Sequence, residues 1–238
     1  MALKTHGITA NSVQNLLFSA GAIYKNLIQS YELTSDSTIV EGKTYYTRSG
    51  TSPNYVYTPV AEPSASDIST YYEYKGWTGT VLGATNGGIK FSITPEYVDA
   101  ELDGASVAVR GTKIKVGETA TLESNMTEFS EGVIKDSLHL VEDTTESVSG
   151  YKKYISKRSL VNSDYLTNIA YVGALVSGEQ IIVILPNAIC TSALEVQGQN
   201  KTQATYTITF ECTATFEQDD LEHLPYEIYY PQTTQVNG

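Results

Sequence analysis

The sequence predicts a mainly β protein: a β-sandwich or half-barrel with one short helix and a small inserted β-subdomain. Three observations lead there. The chain holds 18 Tyr and many Thr but only two Met, and aromatic and β-branched side chains suit the pleated surface of a sheet. From Gln203 to Glu217, Ala204, Tyr206, Ile208, Phe210, Cys212, Ala214 and Phe216 alternate without a break with Thr205, Thr207, Thr209, Glu211, Thr213, Thr215 and Glu217. That is the period-2 pattern of a half-buried strand. The stretch from Val81 to Thr121 repeats such alternation between turn signals.

At 238 residues the chain can bury the core of one large all-β domain or two small ones. Its 41% hydrophobic and 18% charged residues describe a globular protein. The formal charge of −12 is the wrong sign for gripping nucleic acid by its phosphates and favours solubility. No apolar run approaches the ~20 residues of a membrane span. Asn11, Gln14 and Asn15 interrupt any N-terminal apolar segment, against a signal peptide. Cys190 and Cys212 form no disulfide framework and fit a reducing site of synthesis.

Taken in order, Met1 to Ala10 reads as a polar arm or edge segment. Leu16 to Leu27 reads as two strand pieces around Ser19-Ala20-Gly21, with a short helix over Ser12 to Phe18 as the alternative. Residues 31–75 carry eight of the 18 Tyr and three of the seven Pro. Thr44–Thr47, Tyr55–Thr58 and Thr70–Tyr74 repeat a short aromatic-Thr strand between Gly- or Pro-bearing turns. We assign 31–75 as the inserted subdomain, on the outer surface of a core built from 1–30 and 76–238. Its tyrosines are either a platform for a sugar or a host surface, or, by the more economical reading, a set of rings packed across strands in a domain too small for a better core.

Thr85-Asn86-Gly87-Gly88 reads as a tight turn. Ile89, Phe91 and Ile93 then face one way, with Lys90, Ser92 and Thr94 facing the other. Pro95 is expected to end that ladder, and Asp103-Gly104 to make a second turn. Ile114, Val116, Ala120 and Leu122 share the next apolar face, opposite Lys113, Lys115, Thr119 and Thr121. A helix is expected over Thr127 to Leu140, capped by Asn125 with Glu128 reaching back; Met126, Phe129, Val133, Ile134 and Leu138 supply its apolar stripe. Glu142 to Gly150 is an acidic loop. Lys152, Lys153, Lys157 and Arg158 alternate with Tyr154 and Ile155, a solvated strand or an inter-subunit partner before a DNA contact. Ile169 to Val176 and Ile181 to Leu185 are strands, and Pro186-Asn187 is expected to stop the second. Gln203 to Glu217, at ~3.3 Å per residue, spans roughly 50 Å as a single strand. That length favours a sheet shared between subunits.

No catalytic constellation stands out, and no enzyme activity or cofactor is expected. His6, His139 and His223 are too scattered for a transition-metal site. Asp219, Asp220, Glu222 and His223 lack the alternating spacing of a calcium loop. No Lys-Ser/Thr follows Gly87-Gly88, as a phosphate loop requires. Cys212 reads as a small core residue, and Cys190 has no neighbouring base to activate it.

Several blocks, in this order, resemble the tail tube (major tail) proteins of long-tailed bacteriophages: Gly21–Leu27 (GAIYKNL), LGATNGG, ITPEYVDAELDGA, VRGTKIKVGETATLESNM, Ile181–Asn200, Tyr206–Phe216 and Leu224–Pro231 (LPYEIYYP). The resemblance leaves out residues 31–75. It implies a sandwich of the tail-tube type and a structural virion protein assembled in the host cytoplasm. It further implies self-assembly into hexameric rings stacked head to tail, the conduit for DNA ejection. The implied partners are further copies of the chain, the tape measure protein and the tail terminator and distal tail proteins; DNA passes without specific binding, and no membrane is involved. Since no Lys or Arg follows Lys201, Thr207, Thr209, Glu211, Thr213, Thr215 and Glu217 are the expected lumen-facing residues. The competing reading is a β-sandwich module that binds carbohydrate or a cell surface through residues 31–75.

Overall fold

A computed structural model describes residues 12–232 except 14, 18, 53, 101, 102, 104–106, 108, 146, 147, 199 and 217–220. The chain forms two compact units, Met1–Asn26 with Thr80–Gly238, and Leu27–Gly79. The strands are β1 (Ala22–Leu33), β2 (Tyr46–Thr51), β3 (Asn54–Pro59), β4 (Tyr72–Val81), β5 (Thr85–Asp99) and β6 (Lys113–Met126). After a helix α1 (Glu131–Leu138) come β7 (Leu140–Glu142), β8 (Tyr154–Ser156), β9 (Leu166–Ala174), β10 (Gln180–Cys190), β11 (Tyr206–Glu211) and β12 (Glu227–Tyr229). The mainly β class holds.

In the larger unit one layer runs β1-β9-β10 with β12 also on β10, and the other runs β10-β11-β6-β5. Strand β10 belongs to both. Ile182–Ile184 pair with β12, and Ile189 and Cys190 pair with β11. The change of partner falls at Pro186-Asn187, so this pair does not stop the strand as expected. Pro186 stays opposite Asn168 and Ala188 opposite Leu166, while Asn187 takes a left-handed φ of 50°, a conformation Asn tolerates. A strand that bends between sheets makes the corner of a sandwich. Ile23, Ile169, Tyr171, Val183 and Leu185 meet Ala120, Leu122, Met126, Tyr206, Ile208 and Phe210 in one buried core. Each large apolar side chain so enclosed contributes about 1.5–3 kcal/mol. Gly21, at φ 73°, lies where a Cβ would overlap the Tyr171 ring.

Other expectations change for local reasons. The Gly87-Gly88 pair, both at positive φ, does not reverse the chain. It absorbs a register shift between Thr85↔Met126 and Ile89↔Ser124, which is what a bulge does. Pro95 pairs with Glu118 in mid-ladder; β5 ends the strand order, and an edge strand tolerates a missing N–H. A second irregularity follows at Glu96/Tyr97. Beyond it Ile114 and Val116 are exposed, whereas Ala120 and Leu122 are wholly buried. The expected Asp103-Gly104 turn lies largely outside the described residues, as does the arm Met1–Ala10. Leu16 and Leu17 form no strand; Leu17 makes an isolated bridge to Leu175, and Ser12 and Val13 sit in a turn, not a helix.

The helix begins later than its sequence pattern suggests. The β6 ladder holds the chain through Met126, the Thr127 N–H bonds the Ala84 carbonyl at 2.9 Å, and the Glu128 carboxylate accepts from the Ala84 N–H at 3.1 Å. Ser130 therefore caps α1, accepting from the Val133 N–H, as N-cap serines do. Val133 and Ser137 are its buried positions, while Phe129 and Leu138 are exposed. His139 ends it in a left-handed conformation, with Nε2 3.0 Å from the Cys190 carbonyl. Lys25 of β1 bonds Asp136 of the helix at 2.6 Å.

In the smaller unit the order is β3-β2-β4-β1. One face of this sheet is covered by the loops that carry Tyr45, Ile68 and Tyr71, a small core flanked by Ile39 and Val60. There Glu73 is buried and takes Lys43 and Lys75, each at 2.8 Å. Those hydrogen bonds, Lys43 first, hold its carboxyl down at about 2.

Candidate assembly surface

The residues expected to line a lumen divide along the chain. β11 ends at Glu211, so the strand of Gln203 to Glu217 is far shorter than its alternation suggests. Thr207 is exposed and its hydroxyl donates to Asn125 Oδ1 at 2.7 Å. Thr209 is half-buried, its carbonyl accepting from the Thr191 N–H and its N–H donating to Ser192 Oγ. Glu211 is half-buried, paired with Ile189 and Thr121.

Beyond Glu211 the chain leaves the ladder through side chains. The Cys212 N–H still reaches the Ala120 carbonyl at 2.9 Å. Its thiol donates to the Pro186 carbonyl at 3.2 Å, and the Thr213 hydroxyl donates to that of Asn187 at 2.6 Å. These are the carbonyls freed where β10 turns its corner, so side chains take the place of a continuing strand. Burial raises the Cys212 thiol to about 12, which keeps it protonated and unreactive. Ala214 and Thr215 are exposed, and Phe216 is fully exposed, not packed inward as the alternation implied. They line an open cleft of about 570 Å³ with Asn162, Tyr165 and Asn187. Glu217 lies outside the described residues.

What the sheet assembles around Thr207, Thr209 and Glu211 is a polar face of three antiparallel strands. Its rows are Thr207–Asn125, Thr209–Glu123–Lys90, Glu211–Thr121–Ser92 and Thr119–Thr94. Its charged members are Lys90, Glu123 and Glu211, and the rest are hydroxyls and an amide. The alternation in each strand was readable. The pairing was not, because β11 and β6 are separated by some 80 residues of chain and nothing local specifies that they meet.

The face ends at β5, which has β6 on one side and, among the described residues, no strand on the other. Past the Glu96/Tyr97 irregularity this hairpin exposes Tyr97, Val98, Ile114 and Val116, each more than half exposed, with Val98 opposite Ile114 and Tyr97 opposite Lys115. At the root of that arm, Glu118 accepts from Lys115 at 2.8 Å and from the Tyr226 hydroxyl at 3.0 Å. Lys115 first, then Tyr226, hold its carboxyl below the usual carboxylate range. Three of the four basic residues after Gly150 are paired internally: Lys152 with Glu131, Lys153 with Asp143 and Lys157 with Asp164. Among the described residues, no group of His, Cys, Asp and Glu is placed to hold a metal ion, and no helix is long and apolar enough to cross a membrane. Asp219 and Asp220 lie outside the described residues.

No family model and no curated protein matches the chain. Among solved structures, it is similar to a chain in the tail of an empty GTA particle, computed with helical refinement and C6 symmetry. The identity is 11% and the TM-score 0.35, covering 58% of this chain and 83% of that one. It is also similar to a chain of the virion of a native gene transfer agent particle, with 11% identity and a TM-score of 0.33, covering 60% of this chain and 85% of that one.

Proposed function

We propose that this chain is a structural virion protein that self-assembles into stacked hexameric rings, forming the wall of a phage tail tube through which DNA is ejected. The observation that carries the reading is the long edge of β5, 15 residues, which no strand covers among the described residues, at the rim of a three-strand polar face. An exposed edge of that length is a template for strand pairing, and a further copy of the same chain is the partner that closes it. Copies joined head to tail close into rings when the rotation allows. The exposed Tyr97, Val98, Ile114 and Val116 on the same hairpin give such a contact an apolar component. The block resemblance in the sequence supports the tube and its partners, the tape measure, tail terminator and distal tail proteins.

In this reading Thr207, Thr209 and Glu211, with Glu123, Thr121 and Asn125, face the lumen. A hydroxyl-rich, mildly acidic wall releases DNA, whereas a cationic one holds it by its phosphates. Negative-stain microscopy of the purified chain tests the assembly: rings or tubes support it, and dispersed monomers at every concentration overturn it. Tubes carrying Glu123→Lys and Glu211→Lys then test the lumen. They should retain duplex DNA at low salt and lose it as salt screens the charges; unchanged behaviour places those carboxylates outside the conduit.

A further inference from the structure

The unit of residues 27–79 has one face covered by its own loops and one face of tyrosine rings that stays partly open, Tyr72 buried, Tyr31, Tyr46 and Tyr57 half-buried and Tyr55 and Tyr74 exposed. Buried Tyr45, Ile68 and Tyr71 lie on the covered face, with Glu73 and its lysines. Strand alternation puts Tyr31 of β1, Tyr72 and Tyr74 of β4, Tyr46 and Arg48 of β2, and Tyr55 and Tyr57 of β3 on the other. The rings pack on each other. Tyr31 stacks on Tyr57 at 4.0 Å between centroids and 8° between planes, and meets Tyr46 edge-on at 5.0 Å and Tyr74 at 5.6 Å. Tyr55 and Tyr74 are exposed, at 39% and 42%.

Into this array Arg48 lays its guanidinium, 4.3 Å from the Tyr55 centroid and 4.8 Å from that of Tyr72. Stacking of this kind fixes the plane of the guanidinium and leaves its N–H fork unused. The ion pairs that the unit makes among its described residues, Lys43–Asp36, Lys43–Glu73 and Lys75–Glu73, belong to the covered side. Among the described residues no carboxylate pairs with Arg48. This face thus combines a fixed cation with phenol rings and hydroxyls and, among the described residues, has no acid of its own.

We propose that this face is a binding site for an acidic polysaccharide, its carboxylates taken by Arg48 and its sugar rings and hydroxyls by the surrounding tyrosines. Arg–carboxylate pairs are charge-assisted and bidentate. Tyrosine supplies large, rigid contact area with a hydroxyl at its tip and little entropy to lose. The Tyr31 hydroxyl donates to Gln29 Oε1 at 2.7 Å; burial, and then the neighbouring tyrosines, hold its phenol above the usual range, so it stays neutral and meets a sugar hydroxyl as an acceptor. The site shares no residue with the polar face of β11, β6 and β5, and its success or failure does not depend on tube assembly.

The test is affinity electrophoresis of the full chain in gels containing polygalacturonate or neutral dextran. With a formal charge of −12, the protein as a whole is repelled by a polyanion, so retention reports a local site. The expected result is retardation by polygalacturonate alone, weakening as salt rises. Arg48→Gln should lose affinity about tenfold or more, Arg48→Lys should lose less, and Tyr74→Phe, which removes only a hydroxyl, should weaken it with the fold intact. Absence of retardation, equal retardation by dextran, or full retention of Arg48→Gln overturns the proposal. Self-association that Tyr55→Ala and Tyr74→Ala abolish also overturns it, since the face would then be covered by a second copy.

Discussion

Phe210 and Phe216 occupy the same phase of one unbroken alternation, and replacing each by Ala separates the structure from the pattern. Phe210 is 1% exposed, in the core with Leu122, Ile208 and Tyr206, whereas Phe216 is 100% exposed. Truncating a buried Phe removes its transfer free energy and leaves a cavity, together about 3–5 kcal/mol. For a protein of this size each kcal/mol moves the melting midpoint by about 2–4 °C, so Phe210→Ala should melt roughly 6–20 °C below the parent. Phe216→Ala removes a side chain that touches little and should stay within about 0.5 kcal/mol. Urea unfolding followed by far-UV circular dichroism, at protein concentrations too low for assembly, measures both through the transition midpoint at constant slope. Comparable losses from the two variants would refute the argument, because they would mean that the sheet continues through Phe216 and that the exit at Cys212–Thr213 is wrong.

Two further outcomes test the smaller unit. Glu73 has its folded-state carboxyl at about 2, below the ordinary value of about 4.3, so its contribution is present above that value and is lost as pH falls from there towards 2. Near-UV circular dichroism of the tyrosines should show this unit loosening in that window. Glu73→Gln should be weaker at neutral pH and flatter across the acid range, and an unchanged acid profile would remove the Glu73–Lys43–Lys75 cluster as the cause. The second outcome concerns excision. The Leu82 N–H already bonds the Ile23 carbonyl at 2.8 Å, so the larger unit holds together the two chain segments that flank residues 27–79. Replacing 27–79 by a short Gly/Ser linker should therefore leave the β1–β9 pairing and the core intact, as amide hydrogen exchange at Ile23 and Ile169 would report; loss of protection there would show that the larger unit needs the smaller one.

The faces of strands were legible in the sequence because burial is a property of single residues. Ile89, Phe91 and Ile93 pack on the core, and Ala120, Leu122, Tyr206, Ile208 and Phe210 are buried in it; alternation in each segment announces this by itself. Thr207, Thr209 and Glu211 of the polar face could be read from β11 for the same reason. That Lys90, Ser92, Thr94, Thr119, Thr121, Glu123 and Asn125 join them in one face needed the pairing of β11 with β6 and of β6 with β5, and pairing depends on the whole chain. The helix was placed too early because its first turn was competing with a ladder. Asn125 is a good cap in isolation, but in the sheet its side chain serves Thr207, and the next free cap, Ser130, takes the role.

Gly87-Gly88, Pro95 and Pro186-Asn187 carry the same lesson in the opposite direction. Each is a residue chemistry that usually ends a strand, and each sits inside one here. Glycine supplies positive φ and proline withholds an N–H; neither says whether the neighbouring chain needs what is missing. Gly87 and Gly88 spend their freedom on a bulge because Met126 and Ser124 continue to offer partners on either side of it. Pro95 withholds an N–H from a strand that ends the sheet order among the described residues. At Pro186-Asn187 the ladder to β9 survives while the partner on the other side changes from β12 to β11. The carbonyls exposed by that change are what draw Cys212 and Thr213 out of the sheet. A corner on β10 thus decides where β11 stops, and with it which of the threonines after Tyr206 belong to the polar face. No feature of Gln203 to Glu217 itself could have announced that limit.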